Sequence, residues 1–92
     1  MMPKLEEKLI ELGYRINPAY LSWDHEKLYC KLFKDITLII IATDLIRNSW
    51  ITPYCKDIYT QPDLDDLQQA FNILQHDLEV LSQCQNVEAA NI

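Results

Sequence analysis

The sequence predicts one small α+β domain: an N-terminal helix, a three- to four-stranded antiparallel meander, and a long C-terminal amphipathic helix packed on the sheet. Three observations predict it. Apolar residues recur at helical spacing at both ends of the chain, they alternate with a period of two in the middle, and 92 residues leave room for one core. We therefore expect residues 1–92 to form a single domain, with residues 85–92 as a frayed tail.

The first element is predicted to be a short helix over residues 3–12. Leu5, Leu9 and Leu12 fall on one helical face. Pro3 suits the first turn, where its missing N–H costs nothing. Gly13 is the only glycine in the chain and stands where a helix C-cap needs a positive φ, so we expect it to end this helix.

The middle of the chain predicts a β-hairpin. Residues 27–33 alternate in the manner of a strand, and the β-branched run over residues 36–41 is typical of a central strand buried on both faces. Only a tight turn fits between them.

The segments on either side of this hairpin are less regular. Residues 14–26 predict either an irregular strand or a loop. Asn48 and Ser49 are a second turn signal, and a third strand follows over residues 50–59. Because Pro53 cannot donate to a ladder, that strand is expected at an edge or at a bulge.

The last helix is predicted over residues 62–83 and has a wide apolar arc of roughly 160°. Phe71, Leu74 and Leu78 are expected to cover the sheet, which leaves the flank with Ile73 and Val80 for a second copy of the chain. The alternative is that the first helix covers this flank within one chain. The residues predicted to self-associate are Ala70, Ile73, Asp77, Val80 and Cys84.

Charge is divided unevenly along the chain. The net charge is −6, and residues 57–92 contain seven acids and no lysine or arginine. Direct binding of nucleic acid is therefore not expected. An acidic helix face favours a basic protein surface, although it also serves as a plain solvated face. The acids predicted to contact a partner are Asp65, Asp66 and Glu79.

Aromatic residues are numerous for so short a chain, with five tyrosines and two tryptophans. Tyrosine and tryptophan are favoured at protein interfaces because they bury area at low entropic cost. The alternative is that most of them pack around a thin sheet. Trp23 and Trp50, next to turn-like residues, are the expected exposed anchors.

No pattern in the sequence predicts catalysis, a cofactor or a metal site. A single glycine excludes the glycine-rich phosphate loops, and His25 and His76 match no zinc-ligand spacing. A Cys–His pair built from Cys30 or Cys55 stays open. No apolar run approaches the ~20 residues of a membrane span, the N-terminus lacks a signal-peptide pattern, and three cysteines do not form a disulfide framework. We therefore expect a cytoplasmic protein.

Both ends of the chain carry a family resemblance. The segments LEEKLIELGY and PDLDDLQQAFNILQHDLEVL resemble the terminal helices of a group of small uncharacterised proteins from phages and mobile elements of Firmicutes. The resemblance covers about a third of the chain and does not include the strands. It implies no activity, catalytic residue or cofactor, but it does imply an accessory role such as the inhibition of a host system.

Three hypotheses follow. The leading one is a non-enzymatic protein-interaction module, a homodimer through the C-terminal helix, whose protein partner the sequence does not identify. The first alternative is a phage-type acidic inhibitor of a host defence or nucleic-acid-binding protein. The second alternative is a small-ligand or nucleotide binder at a dimer interface.

Overall fold

The architecture is that of an α+β domain with an antiparallel meander. The computed structural model describes the backbone of residues 3–53 and 62–90, and the side chains of residues 5–53 and 62–83. In chain order the elements are α1 (Pro3–Glu11), β1 (Arg15–Ile16), β2 (Lys27–Phe33), β3 (Ile36–Ala42), β4 (Ile46–Pro53) and α2 (Leu64–Ala90). The strands lie in the order β1-β2-β3-β4, and each pairs antiparallel with the next. The predicted fold class is confirmed.

The end of α1 shows why the chain places its glycine at position 13. Gly13 has a φ of +100°, its N–H donates to the Ile10 carbonyl at 3.0 Å, and the Tyr14 N–H donates to the Leu9 carbonyl at 3.0 Å. This pair of bonds is a Schellman C-cap. A Cβ at Gly13 would also lie 3.1 Å from Cδ of Lys31, so a side chain there would add a tight contact to the unfavourable positive φ.

The hairpin between β2 and β3 closes as predicted. Phe33 pairs with Ile36, which leaves Lys34 and Asp35 as a two-residue turn. Lys34 has a φ of +54°, the left-handed geometry that matches the twist of the flanking strands. This turn fixes the register of the whole ladder, and therefore which side chains share a face.

The next turn comes earlier than predicted. Asn48 and Ser49 lie inside β4, where Ser49 pairs with Ile40. The chain reverses instead at Thr43, whose N–H donates to the Leu45 carbonyl at 2.9 Å and whose hydroxyl accepts from the Leu45 N–H at 3.4 Å. A threonine hydroxyl thus supplies the turn that the Asn-Ser pair was expected to make.

Strand β4 lies at the edge of the described sheet and ends at Pro53, in agreement with the prediction for that proline. A register shift at Ile41 and Ala42 adds a bulge to its pairing with β3. The remainder of the predicted third strand, residues 54–59, lies outside the described residues.

Only Arg15 and Ile16 of the segment over residues 14–26 form a strand. The Asn17 side chain accepts from the Ala19 N–H at 3.0 Å, and Pro18 stands between them. This local turn competes with strand pairing, so the rest of the segment is a loop.

Helix α2 spans Leu64–Ala90 and therefore extends past residue 83, where the sequence predicted its end. The fraying of residues 85–92 stays a prediction. The added residues include glutamate and two alanines and contain neither glycine nor proline, so nothing in them terminates a helix. At its other end the helix begins at Leu64, two residues after the predicted start.

The core lies on one side of the sheet only. Leu38 and Ile40 of β3 are fully buried there, beneath α2, and α1 packs against α2 on the same side. The buried cluster consists of Leu5, Leu9, Tyr14, Tyr29, Ile36, Leu38, Ile40, Ala42, Ala70, Leu74 and Leu81. Because side chains alternate along a strand, the residues between these inward-facing ones, such as Ile39 and Ile41 of β3, point to the opposite side.

Candidate protein interface

The side of the sheet that faces away from the helices carries ten side chains, and six of them are apolar: Leu28, Cys30, Leu32, Ile39, Ile41 and Trp50. We call it the open face. The register aligns Arg15, Cys30, Ile39 and Trp50 in a row across all four strands. The full set is Arg15, Leu28, Cys30, Leu32, Thr37, Ile39, Ile41, Asn48, Trp50 and Thr52.

Several large side chains of the open face contact solvent. Leu32 is 63% exposed and Trp50 is 38% exposed, while Cys30 and Ile39 are half-buried. Only Ile41 is buried. None of the ten belongs to the core cluster of the described residues. An antiparallel sheet with one solvated face ordinarily shows polar residues there, so this apolar set is the first candidate for a contact surface.

A second apolar group lies at one end of the same sheet. Because Lys27 pairs with Ala42, the β1–β2 loop and the β3–β4 turn meet at that end. Leu21 is 88% exposed, Trp23 is 99% exposed and Leu45 is 54% exposed. We call these three residues the loop end.

The turn that carries Trp23 is held by polar contacts. The Asp24 N–H donates to the Ser22 hydroxyl at 3.2 Å, and the His25 N–H donates to the Ser22 carbonyl at 3.3 Å. Glu26 then lies 3.6 Å from the Arg47 guanidinium, which ties the loop to β4. The indole of Trp23 therefore stands on an ordered turn, an arrangement that lowers the entropic cost of binding.

The sheet is free of acids, in contrast to the rest of the chain. The four strands contain Arg15, Lys27, Lys31 and Arg47, and no aspartate or glutamate. All fourteen acids of this −6 protein belong to other parts of the sequence. The open face is consequently neutral to weakly positive on an acidic molecule.

The acids predicted to contact a partner lie away from the tryptophans. Asp65 and Glu79 are exposed on α2, on the side of the sheet opposite Trp50. Asp66 accepts a hydrogen bond from Lys34 at 2.9 Å, and this bond raises the pKa of the lysine. The structure thus does not bring the three acids and the two tryptophans into one surface.

The residues predicted to self-associate are placed differently from the prediction. Ala70 is fully buried and Asp77 is 4% exposed within a single chain, whereas Ile73 and Val80 are half-buried. Ile73 packs against the core cluster. The side chain of Cys84 lies outside the described ones. The large apolar side chains of α2 that are exposed, among the described ones, are Leu64 and Phe71.

This difference corresponds to a rotation of α2 by about 60° from the predicted orientation, at ~100° per residue. The centre of the buried stripe is Ala70, Leu74, Asp77 and Leu81 rather than the leucine heptad. The cause is Asp77, an acid that must point inward to reach its partners.

Asp77 joins three elements through one buried cluster. Oδ2 of Asp77 accepts a hydrogen bond from the Tyr14 hydroxyl at 2.8 Å and another from Nζ of Lys31 at 2.6 Å. Nζ of Lys31 also donates to the Leu12 carbonyl at 2.8 Å and lies 4.5 Å from the centre of the Tyr14 ring. We call Tyr14, Lys31 and Asp77 the buried triad.

The buried triad is enclosed by protein. Tyr14 is fully buried, and the side chains of Lys31 and Asp77 are 19% and 6% exposed. Burial raises the pKa of the Tyr14 hydroxyl above its usual value of 10.0, and its hydrogen bond to Asp77 together with the charge of Asp77 raises it further. Through Asp77, the Tyr14 hydroxyl holds α2 against the end of α1, and Lys31 holds it against β2. The buried triad therefore stabilises the packing of α2.

Sequence reasoning missed this triad. The available signal was an acid at position 77 inside an otherwise apolar helical seam, since a buried carboxylate requires a hydrogen-bonded partner of opposite charge. Lys31, inside a strand with apolar neighbours, was the matching signal.

The raised pKa of Tyr14 predicts a pH dependence with a definite sign. Because the folded protein holds this proton more tightly than the unfolded chain, the stabilisation is complete below pH 10 and is lost as the pH rises above it. The free energy of unfolding of the wild type, relative to Tyr14→Phe, should fall by about 1.4 kcal/mol per pH unit there. Denaturant melts of both proteins from pH 8 upward measure it, and parallel pH profiles would contradict the prediction.

The described part of the chain contains neither a metal-binding cluster nor a membrane-spanning helix. Among the side chains of residues 5–53 and 62–83, no group of three or more histidine, cysteine, aspartate and glutamate residues could hold a metal ion. No helix of that same part of the chain has the length and apolar character to cross a bilayer. Comparisons with protein-family models, curated proteins and solved structures find no match to this chain.

Proposed function

We propose that this protein is a non-enzymatic protein-interaction module whose contact surface is the open face together with the loop end. The observation that carries the proposal is the exposure of Trp50 on acid-free strands, together with the exposure of Trp23 on the β1–β2 loop at one end of the same sheet. Interface energetics concentrate in tryptophan, tyrosine and arginine, and this surface presents Trp23, Trp50 and Arg15 among apolar neighbours. A cytoplasmic location belongs to the same proposal and is supported by the odd number of cysteines.

The ordered turn beneath Trp23 supports this role. A side chain that is 99% exposed adds nothing to the core, so its burial in a partner would be a net gain of apolar contact. Its backbone is already held through Ser22, which leaves mainly the side-chain rotamers to be ordered on binding.

The test is a comparison of captured proteins between matched variants. Tagged wild type, Trp23→Ala, Trp50→Ala and the double variant are cross-linked in cells of the source organism, and the captured proteins are quantified by mass spectrometry. The control is Phe71→Ala, which removes an exposed aromatic ring from α2 on the opposite side of the molecule. We expect specific capture by wild type and control, with a loss of tenfold or more in the double variant. Equal capture by all variants would contradict the proposal.

The phage-type acidic inhibitor is the second candidate, supported by the exposed Asp65 and Glu79 on α2. It has weaker support because Asp66 is already paired with Lys34. The same capture experiment separates the two functions. Electrostatic binding through α2 weakens steeply as salt is raised and is lost in Asp65→Lys/Glu79→Lys, whereas binding through the open face survives both.

A further inference from the structure

We propose that the open face is covered by a second copy of this chain, so that two sheets pack face to face in a symmetric dimer. This inference rests on the proposed function and names one partner for its surface. The first argument is the composition of β3. Its helix-facing residues, Leu38 and Ile40, alternate with Ile39 and Ile41, so the strand is apolar on both sides. Such a continuous apolar run is typical of a strand covered on both faces.

The second argument is area. Three strands of seven or eight residues and the two-residue β1, at a spacing of ~4.8 Å, give the open face roughly 350–450 Å² in projection. The side chains and the loop end add to this, which brings each copy near the ~600 Å² per partner of a small but specific interface. A dimer that dissociates in the micromolar range is the expected consequence.

The third argument is charge, which selects this face for self-association. Each copy carries −6, and the acids of α1, α2 and the turns would approach one another in any contact between helices. The open face has no acid and a single arginine, Arg15, at its β1 end. Contact between two open faces keeps the acidic helices on the outside of the dimer and far apart.

Face-to-face packing also fits the central row of side chains. Cys30, Ile39 and Trp50 span three adjacent strands, and stacked sheets lie about 10 Å apart, the separation filled by interdigitated side chains of this size. A chain of this length forms only a small core of its own. Burial of these residues in a dimer would therefore enlarge that core.

The test is sedimentation equilibrium of the purified chain from about 1 µM to about 1 mM. We expect the wild type to shift from 10.8 kDa to twice that mass across this range. Trp50→Lys should weaken the dimer by a hundredfold or more, because it places a cation in the apolar row. The matched control, Phe71→Lys on α2, should dimerise like the wild type. Retained circular dichroism spectra in both variants show that each one folds.

Salt gives an independent readout. Because screening reduces the repulsion between two acidic copies while leaving apolar contact intact, the dimer should strengthen from about 50 to about 500 mM NaCl. A monomer at all concentrations, or a dimer disrupted by Phe71→Lys and not by Trp50→Lys, would overturn the inference. If the wild type is monomeric but its captured protein is lost in Trp23→Ala/Trp50→Ala, the interaction module stands and only the second copy is wrong. If both results are negative, both proposals fail.

Discussion

Replacing Asp77 with alanine is expected to lower the free energy of unfolding by about 3 kcal/mol, because it removes the carboxylate that pairs with the mostly buried Lys31 side chain. The substitution also removes the acceptor of the Tyr14 hydroxyl, which lies in a site closed to water. For a domain of this size, the loss is about half of an expected total of 5–6 kcal/mol. Urea or thermal unfolding at pH 7 measures it.

Two controls define the origin of that loss. Asp66→Asn weakens the exposed ion pair with Lys34 and should cost far less stability than Asp77→Ala. The double variant Lys31→Met/Asp77→Leu replaces the buried charges with apolar groups and should be more stable than Asp77→Ala alone. A cost for Asp77→Ala as small as that of Asp66→Asn would show that the triad does not hold α2 in place.

Leu38→Ala is expected to destabilise the fold by about 3 kcal/mol, since it leaves a cavity in the centre of the one-sided core. Leu38 is fully buried and pairs with Ile51 on β4 and Lys31 on β2. The matched substitution is Leu32→Ala on the open face, which removes the same atoms from a side chain that is 63% exposed.

Leu32→Ala should cost less than about 1 kcal/mol when the two variants are compared by chemical denaturation at low protein concentration. The low concentration matters because it keeps the measurement free of association. Equal costs for Leu38→Ala and Leu32→Ala would contradict a core that lies on one side of the sheet.

The parts of the fold that the sequence predicts correctly are those set by neighbouring residues. Gly13 ends α1 because a left-handed C-cap position favours glycine. The β2–β3 hairpin follows from two alternating segments separated by Lys34 and Asp35. The edge position of β4 follows from the missing N–H of Pro53. Each of these constraints acts over a few neighbouring residues, so the local sequence is enough to predict it.

The errors arise where distant residues decide the outcome. The leucine heptad of α2 suggested one buried stripe, but Asp77 turns the helix so that it can bind Tyr14 and Lys31, which are 63 and 46 residues away in the chain. The turn at Thr43 depends on a hydroxyl hydrogen bond and on the bulge in the β3–β4 ladder. A dipeptide turn signal such as Asn-Ser predicts neither of these features.

The candidate interface was predictable only in part. Trp23 and Trp50 were identified from their turn-like neighbours, without information on the side of the molecule that each occupies. Identifying the residues of the open face required the strand register, because a shift of one residue would place Ile39 in the core and Ile40 on the open face. The absence of acids from the strands was available in the sequence, but it became meaningful only when the strand boundaries were known.

The central claim is that the sheet buries one face in its own helices and leaves the other for a partner. Lysine placed at two adjacent positions of β3 tests it most directly. Ile40→Lys, on the buried face, should abolish the cooperative unfolding transition, whereas Ile39→Lys, on the open face, should retain that transition and lose only association. Loss of folding in Ile39→Lys as complete as in Ile40→Lys would contradict the account, because Ile39 would then belong to the interior of a single chain.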